Sequence, residues 1–233
     1  MAANVERRAF IGAAGAVVAA GAMAPKAQAQ AAAGQGIKIV GIATSPRKGK
    51  STAAAVQACL DAAKAAGPNI EIELIDLGGL SIPGQVAAGQ PLFPGQTDDF
   101  PALVPKLADP KVAGIIVGSP TYFANMSYLC KAFLDRCIAF RKKGMALSDK
   151  VAGVVAVGGA RNGGQELVIR SIQTALMCQE MIIVGDGRPS TRIGAMLVSA
   201  GGDISKDEAG LATATNLGRR VAEVALKRKG SPS

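Results

Sequence analysis

Hydroxyls and cationic side chains where a helix begins can hold a phosphate, and residues 43–52 have that make-up. Ser45, Ser51 and Thr52 offer hydroxyls, Arg47 and Lys50 add positive charge, and a helix pattern starts at Ser51. The first N–H groups of a helix lack intrahelical partners and sit at the positive end of its dipole. A second stretch, residues 118–127, reads Gly-Ser-Pro-Thr-Tyr-Phe-Ala-Asn-Met-Ser. Pro120 stiffens it, and Thr121, Tyr122 and Phe123 can lie along or over a flat ring whose polar edge the backbone reads. A third, residues 158–164, reads Gly-Gly-Ala-Arg-Asn-Gly-Gly. Its glycines let backbone approach a ligand closely, and Arg161 brings charge. Taken singly, these are also a capped helix, two core aromatics and a tight turn. Taken together they suit one planar, phosphorylated ligand, which points to a flavin.

Other chemistries are excluded by what is missing. The chain has no histidine, so His-dependent triads and imidazole metal ligands are out. Cys59, Cys130, Cys137 and Cys178 show no CxxC spacing. Cys130 and Cys137 fall on one expected helix, roughly 10 Å apart in axial rise, and cannot bridge. All four read as small buried thiols. Gly49-Lys50-Ser51 resembles the end of a nucleotide P-loop, but position 44, where that motif needs its first glycine, is threonine.

The elements that position these loops alternate strand and helix. Ile37–Ala43 is an apolar run of the kind buried on both faces. Ser51–Ala66 is a helix stopped by Gly67-Pro68, and Ile70–Leu77 alternates apolar and acidic residues as a half-exposed edge strand does. Gly78–Thr97 is a long loop, and a helix follows from Asp98 to about Leu107. Val112–Val117, Val151–Val157 and Met181–Gly185 are the remaining strands. Met126–Lys143, Gln165–Cys178 and Ser205–Lys229 are the remaining helices. The expected fold is α/β: a three-layer, doubly wound, five-stranded parallel sheet in the flavodoxin-like order 2-1-3-4-5, with a ligand site at the strands' carboxyl ends. The edge-like second strand and the ligand loops after strands one, three and four motivate that order.

Residues 1–31 read as an address and joint, leaving 32–233 as one flavodoxin-like FMN-binding domain. Arg7-Arg8 with Ile11 beyond, an Ala/Gly/Val stretch over Gly12–Ala24, and small residues around Ala27–Ala31 form the order of a twin-arginine export signal. The apolar stretch is about 13 residues against the ~20 a membrane span needs. A periplasmic or otherwise exported protein carried by the twin-arginine machinery is expected. The net charge of +9 falls to +7 when the three basic and one acidic residues of the first 29 are removed. That balance suits anionic ligands. The basic residues are dispersed without stacking aromatics, so no nucleic-acid partner is expected. Aromatics are only 3% of the chain, which favours site roles for Tyr122 and Phe123.

With Ser45-Pro46-Arg47-Lys48-Gly49, Gly118-Ser119-Pro120-Thr121-Tyr122 with Lys131 and Asp135-Arg136, the two glycine pairs 158–159 and 163–164, and Leu217–Val221, the chain resembles the NAD(P)H-dependent FMN reductase and iron-sulfur flavoprotein family. The resemblance runs from about Ile37 to Arg228. It implies that Ser45, Arg47, Lys50, Ser51 and Thr52 hold the FMN phosphate. Pro120, Thr121, Tyr122, Phe123 and Ala124 would line the isoalloxazine, with Gly158, Gly159 and Arg161 closing the other side. It also implies NAD(P)H as donor, a small acceptor such as a quinone, and a homodimer or tetramer. Relatives with an iron-sulfur cluster place clustered cysteines in the loop corresponding to Gly78–Thr97, which here has none, so no cluster is expected. No side chain stands out as a catalytic acid or base, Tyr122 and Arg161 being the candidates. The second reading is a non-catalytic flavodoxin-like electron carrier for a membrane partner.

Overall fold

The computed structural model describes residues 36–230; the export segment falls outside them. The elements run β1 (Ile37–Ala43), α1 (Ser51–Ala65), β2 (Ile70–Asp76), a 3-10 turn (Gly84–Ala88), α2 (Phe100–Ala108) and β3 (Val112–Pro120). There follow α3 (Tyr128–Arg136), α4 (Ile138–Arg141), β4 (Val151–Gly158), α5 (Gln165–Met177), β5 (Ile182–Ile183), β6 (Ala195–Val198) and α6 (Glu208–Gly230). The strands pair in parallel in the order β2-β1-β3-β4-β5, with β6 also on β4.

Apolar residues on both faces of β1, β3 and β4 call for cover on both sides. One core layer joins Ile37, Ile39, Ile116 and Val155 to Val56 and Leu60 of α1 and Leu217 and Val221 of α6. The other joins Val40, Ile42 and Val117 to Leu103 of α2, Phe133 of α3 and Ile169 of α5. Glycine lets α1 and α6 close down: a Cβ on Gly118 would stand 2.3 Å from a Val56 methyl, and one on Gly218 would stand 1.8 Å from the Cys59 carbonyl oxygen. β2 is the half-exposed edge, its Glu73 paired with Lys38 and Lys106.

Cys178, expected to be buried with the other three thiols, is exposed at the end of α5, and the elements depart from the sequence reading in three further places. β3 runs on through Gly118-Ser119-Pro120, so the second ligand stretch begins inside the sheet. The helix expected over Met126–Lys143 starts at Tyr128 and is divided at Cys137, whose N–H also reaches the i−3 carbonyl of Leu134 at 3.2 Å, tightening the turn. The fifth strand is two pieces. β5 pairs with Val151 and Ala152, the chain leaves the sheet over residues 184–194, and β6 returns to pair with Val155–Gly158. Gly185, Gly187 and Pro189 cannot sustain a ladder, so the chain bulges outward. Buried Asp186 knots the bulge, accepting from the Ser190 hydroxyl and the Arg192 N–H, each at 2.5 Å. Gly194 makes re-entry possible, because a Cβ there would stand 2.6 Å from the Val154 carbonyl oxygen.

Candidate functional site

The first loop leaves β1 at Thr44, which is fully buried. Its hydroxyl donates to the Gly118 carbonyl at 2.8 Å, and its own carbonyl accepts from the Ser127 hydroxyl at 2.7 Å. Ser127 also caps α3, accepting from the Cys130 N–H at 3.0 Å, while its N–H donates to the Ser119 hydroxyl at 3.0 Å. Three buried hydroxyls, Thr44, Ser119 and Ser127, thus tie the loop after β1 to the loop after β3. Low surrounding dielectric makes such a satisfied network stiff.

The rest of the first loop is braced from both sides. The Ser45 hydroxyl accepts from the Arg47 N–H at 3.1 Å, and Asp76 at the end of β2 accepts from the N–H groups of Gly49 (2.7 Å) and Gly78 (2.9 Å). Lys50 is the N-cap of α1 and makes no side-chain cap bond, so the opening N–H groups of the helix keep their donor capacity.

The second loop turns back on itself. Tyr122 and Asn125 exchange N–H···O bonds of 2.8 and 2.9 Å, with Phe123 and Ala124 between them at φ 49° and 58°. Both central residues of this tight hairpin turn adopt a conformation that usually selects Asn or Gly, a strain typical of functional loops. The Thr121 N–H donates to the Val157 carbonyl at 2.8 Å, joining this loop to the end of β4.

Gln165, buried at the start of α5, shapes the third loop by donating to the Ala160 carbonyl at 2.7 Å and accepting from the Gly163 N–H at 2.8 Å. Gly164, at φ 94°, lets Ala124 pack against it; a Cβ would stand 2.6 Å from that of Ala124. A fourth loop, absent from the sequence reading, follows β6. The Ser199 N–H donates to the Gly158 carbonyl at 2.8 Å, and Ala200 and Asp203 close a tight turn around Gly201 and Gly202, both at positive φ. A glycine pair at a strand's end was its available signal, hidden because β6 has only four residues.

These four loops surround a pocket of about 550 Å³. Arg47 and Ser51 line it from the first loop, Pro120, Thr121 and Tyr122 from the second, Val157, Gly158 and Gly159 from β4 and the third, and Ser199, Gly201 and Gly202 from the fourth. Of the remaining candidates, Ser45 and Thr52 are buried beneath the loop, and Lys50 caps α1 outside the lining. Phe123 points fully into solvent, and Ala124 packs on Gly164. Arg161 faces a neighbouring cavity and pairs with Asp207. Burial works to raise the Asp207 carboxyl, but the Val198 and Gly210 amides and Arg161 hold it below its ordinary value.

The pocket fits a planar phosphorylated ligand. Its volume lies in the small-ligand range. Its lining combines anion donors, Arg47 and the Ser51 hydroxyl at the open helix N-terminus, with the glycines 158, 159, 201 and 202, which carry no side chain to bar a flat group. The buried Thr121 hydroxyl beside it has no hydrogen-bond partner, a vacancy of the sort a ligand or its water fills.

Comparison with known proteins agrees with this geometry. Residues 37–194 match the family model described as NADPH-dependent FMN reductase. The chain is 38% identical over 192 residues to an iron-sulfur flavoprotein of Methanocaldococcus jannaschii, a match covering 81% of this chain and 97% of that one. Two solved structures share the fold: a flavodoxin, WrbA-like protein from Agrobacterium tumefaciens (TM-score 0.58, 21% identity, 83% and 99% of the two chains) and an NADH:FMN oxidoreductase in its apo form (TM-score 0.56, 22% identity, 79% and 89%).

Proposed function

The chain belongs to the NADPH-dependent FMN reductase family, and on that footing we propose how its residues serve a bound flavin. It is an FMN-dependent oxidoreductase. Arg47, the Ser51 hydroxyl and the free amides at the start of α1 would hold the FMN phosphate, with Lys50 adding charge from the N-cap. Ser45 and Thr52 serve beneath that loop as braces. Pro120, Thr121 and Tyr122 would line the ring system, and the Gly158-Gly159 and Ser199–Gly202 backbones would close the other side. The convergence of four loops on one pocket of about 550 Å³ carries this reading.

When bound, the flavin supplies the redox chemistry, taking two electrons from one partner and passing them to another. The chain binds and orients it and shields one side of the ring from water. Tyr122 is the lining residue able to pass a proton, since Arg161 is engaged by Asp207. A nicotinamide is the proposed donor, and a small molecule such as a quinone the proposed acceptor. No iron-sulfur cluster takes part in this proposal. Cys59, Cys130 and Cys137 lie in the core with their thiols pushed up by burial, Cys130 to about 12, and residues 78–97 contain no cysteine. Twin-arginine export of the folded protein, with residues 32–233 as its single domain, is proposed from the sequence of the first 31 residues. Assembly into a homo-oligomer is proposed from the family resemblance.

The test is the visible spectrum of the FMN-loaded protein before and after anaerobic NADPH. Bleaching with steady turnover onto a quinone is the expected result. Tight FMN without bleaching would shift the assignment to another donor or to an electron carrier, and failure to bind FMN would overturn the pocket assignment.

A further inference from the structure

The bulge at residues 184–194 and helix α6 border a second, open cavity of about 490 Å³, which shares no lining residue with the flavin pocket. Arg188 and Thr191 reach it from the bulge, and Arg219, Arg220 and Glu223 from α6. Three guanidinium groups therefore meet one carboxylate, and Glu223 approaches Arg220 no closer than 3.8 Å. The Arg188 side chain has no hydrogen-bond or ion-pair partner among the described residues.

The protein holds these cations together against their mutual repulsion. Arg219 donates to the Arg188 carbonyl at 2.5 Å and to the Asn216 side chain at 3.3 Å. The Arg220 stem lies over Gly187, 3.3 Å from where a Cβ would stand, so glycine there leaves the arginine its place. The bulge is anchored by buried Asp186 and by Asn216, which donates to the Ser190 hydroxyl at 2.9 Å. An anchored wall with two uncompensated positive charges is complementary to an anion of at least that charge. Guanidinium forks match phosphate oxygens two at a time. The volume is that of a small-molecule site, and the groove is open, with Arg188, Thr191 and Arg219 exposed, so a soluble anion can reach all three guanidinium groups.

We propose that this cavity binds a small phosphorylated molecule carrying two or more negative charges, at a site separate from the flavin pocket. The inference does not rest on the flavin assignment. The test is calorimetric titration of the FMN-saturated protein with pyrophosphate, with orthophosphate, and with potassium chloride at matched ionic strength. FMN saturation keeps pyrophosphate from reporting on the first loop. Saturable binding with one site per chain is expected, tighter for pyrophosphate than for orthophosphate. Arg188→Ala and Arg220→Ala should each weaken it about tenfold or more while leaving the flavin spectrum unchanged. Arg188 is exposed and supports nothing else through its side chain, so that variant keeps the test open if Arg220→Ala fails to fold. Heat no greater than the salt control would overturn the proposal. So would binding that both variants retain, or binding lost in Arg47→Ala but kept in Arg188→Ala.

Discussion

At the scale of single residues, the flavin pocket depends on one lining cation and a buried set of hydroxyls. Among the described residues Arg47 is the only charged one in the pocket wall, so Arg47→Ala should weaken FMN affinity about tenfold or more, the usual worth of a charge-assisted hydrogen bond. Unchanged affinity in a fluorescence titration would remove Arg47 from the phosphate site. Ser127 does not touch the pocket, yet it carries the bond to Thr44 and the cap of α3. Ser127→Ala should cost roughly 1–2 kcal/mol in urea unfolding and weaken FMN binding, because the first and second loops lose their tie. Lys150, at the other end of the sheet, gives a pH signature. Burial lowers its ammonium from 10.5 to about 8, where it donates to the Asp109 and Val112 carbonyls. Between about pH 8 and 10.5 the unfolded chain holds this proton and the folded protein has released it, so the Lys150 contribution to stability grows as pH rises. The buried thiols of Cys59, Cys130 and Cys137, raised in the folded state, pull the other way above about pH 9 in both proteins, so the difference in urea midpoint, wild type minus Lys150→Met, is what should rise across that window.

At the scale of elements, close contact between loops does what no side chain does alone. Gly164 opens α5 at φ 94° and receives Ala124 from the second loop. Gly164→Ala adds a Cβ into that contact and also a strained backbone. A loss of about 1–3 kcal/mol is expected, with weaker FMN binding because the Tyr122–Asn125 turn must shift. Thermal unfolding and a flavin titration on one preparation check both. Arg136 serves a different joint. It is buried, forks onto Asp98 at 3.0 and 2.7 Å, donates to the Pro83 carbonyl at 3.0 Å and stacks over the Phe100 ring. It therefore fastens the long loop after β2 onto α3. The sequence places Arg136 in a family motif; the structure shows what the arginine does there.

Over the whole molecule, the two cavities share no lining residue, and flavin occupancy should be felt by the entire fold. A ligand that binds only the native state stabilises it by mass action, about 2.7 kcal/mol at one hundred times the dissociation constant. For a domain of this size that corresponds to roughly 5–10 °C in Tm. Differential scanning calorimetry at rising FMN should show the increase, and Arg47→Ala should need proportionally more FMN to reach it.

The order of the strands, the helices between them and three of the four pocket loops were legible in the sequence. Apolar runs, helical periodicity and glycine-rich breaks are local properties, and they survive whatever the rest of the chain does. What local pattern could not carry was decided by pairings across long separations. The Ser127–Thr44 bond spans 83 residues and the Thr44–Gly118 bond 74, so neither leaves a trace in a window of neighbours. The same holds for the edge strand: Ala195–Val198 is too short to announce itself and is a strand because β4 offers it a partner. Tertiary structure also sorted the candidates, setting Arg47 and Tyr122 in the pocket lining, Phe123 in solvent and Arg161 against Asp207. Residue type sets what chemistry a side chain can do, but its direction follows from which distant backbone the loop packs against.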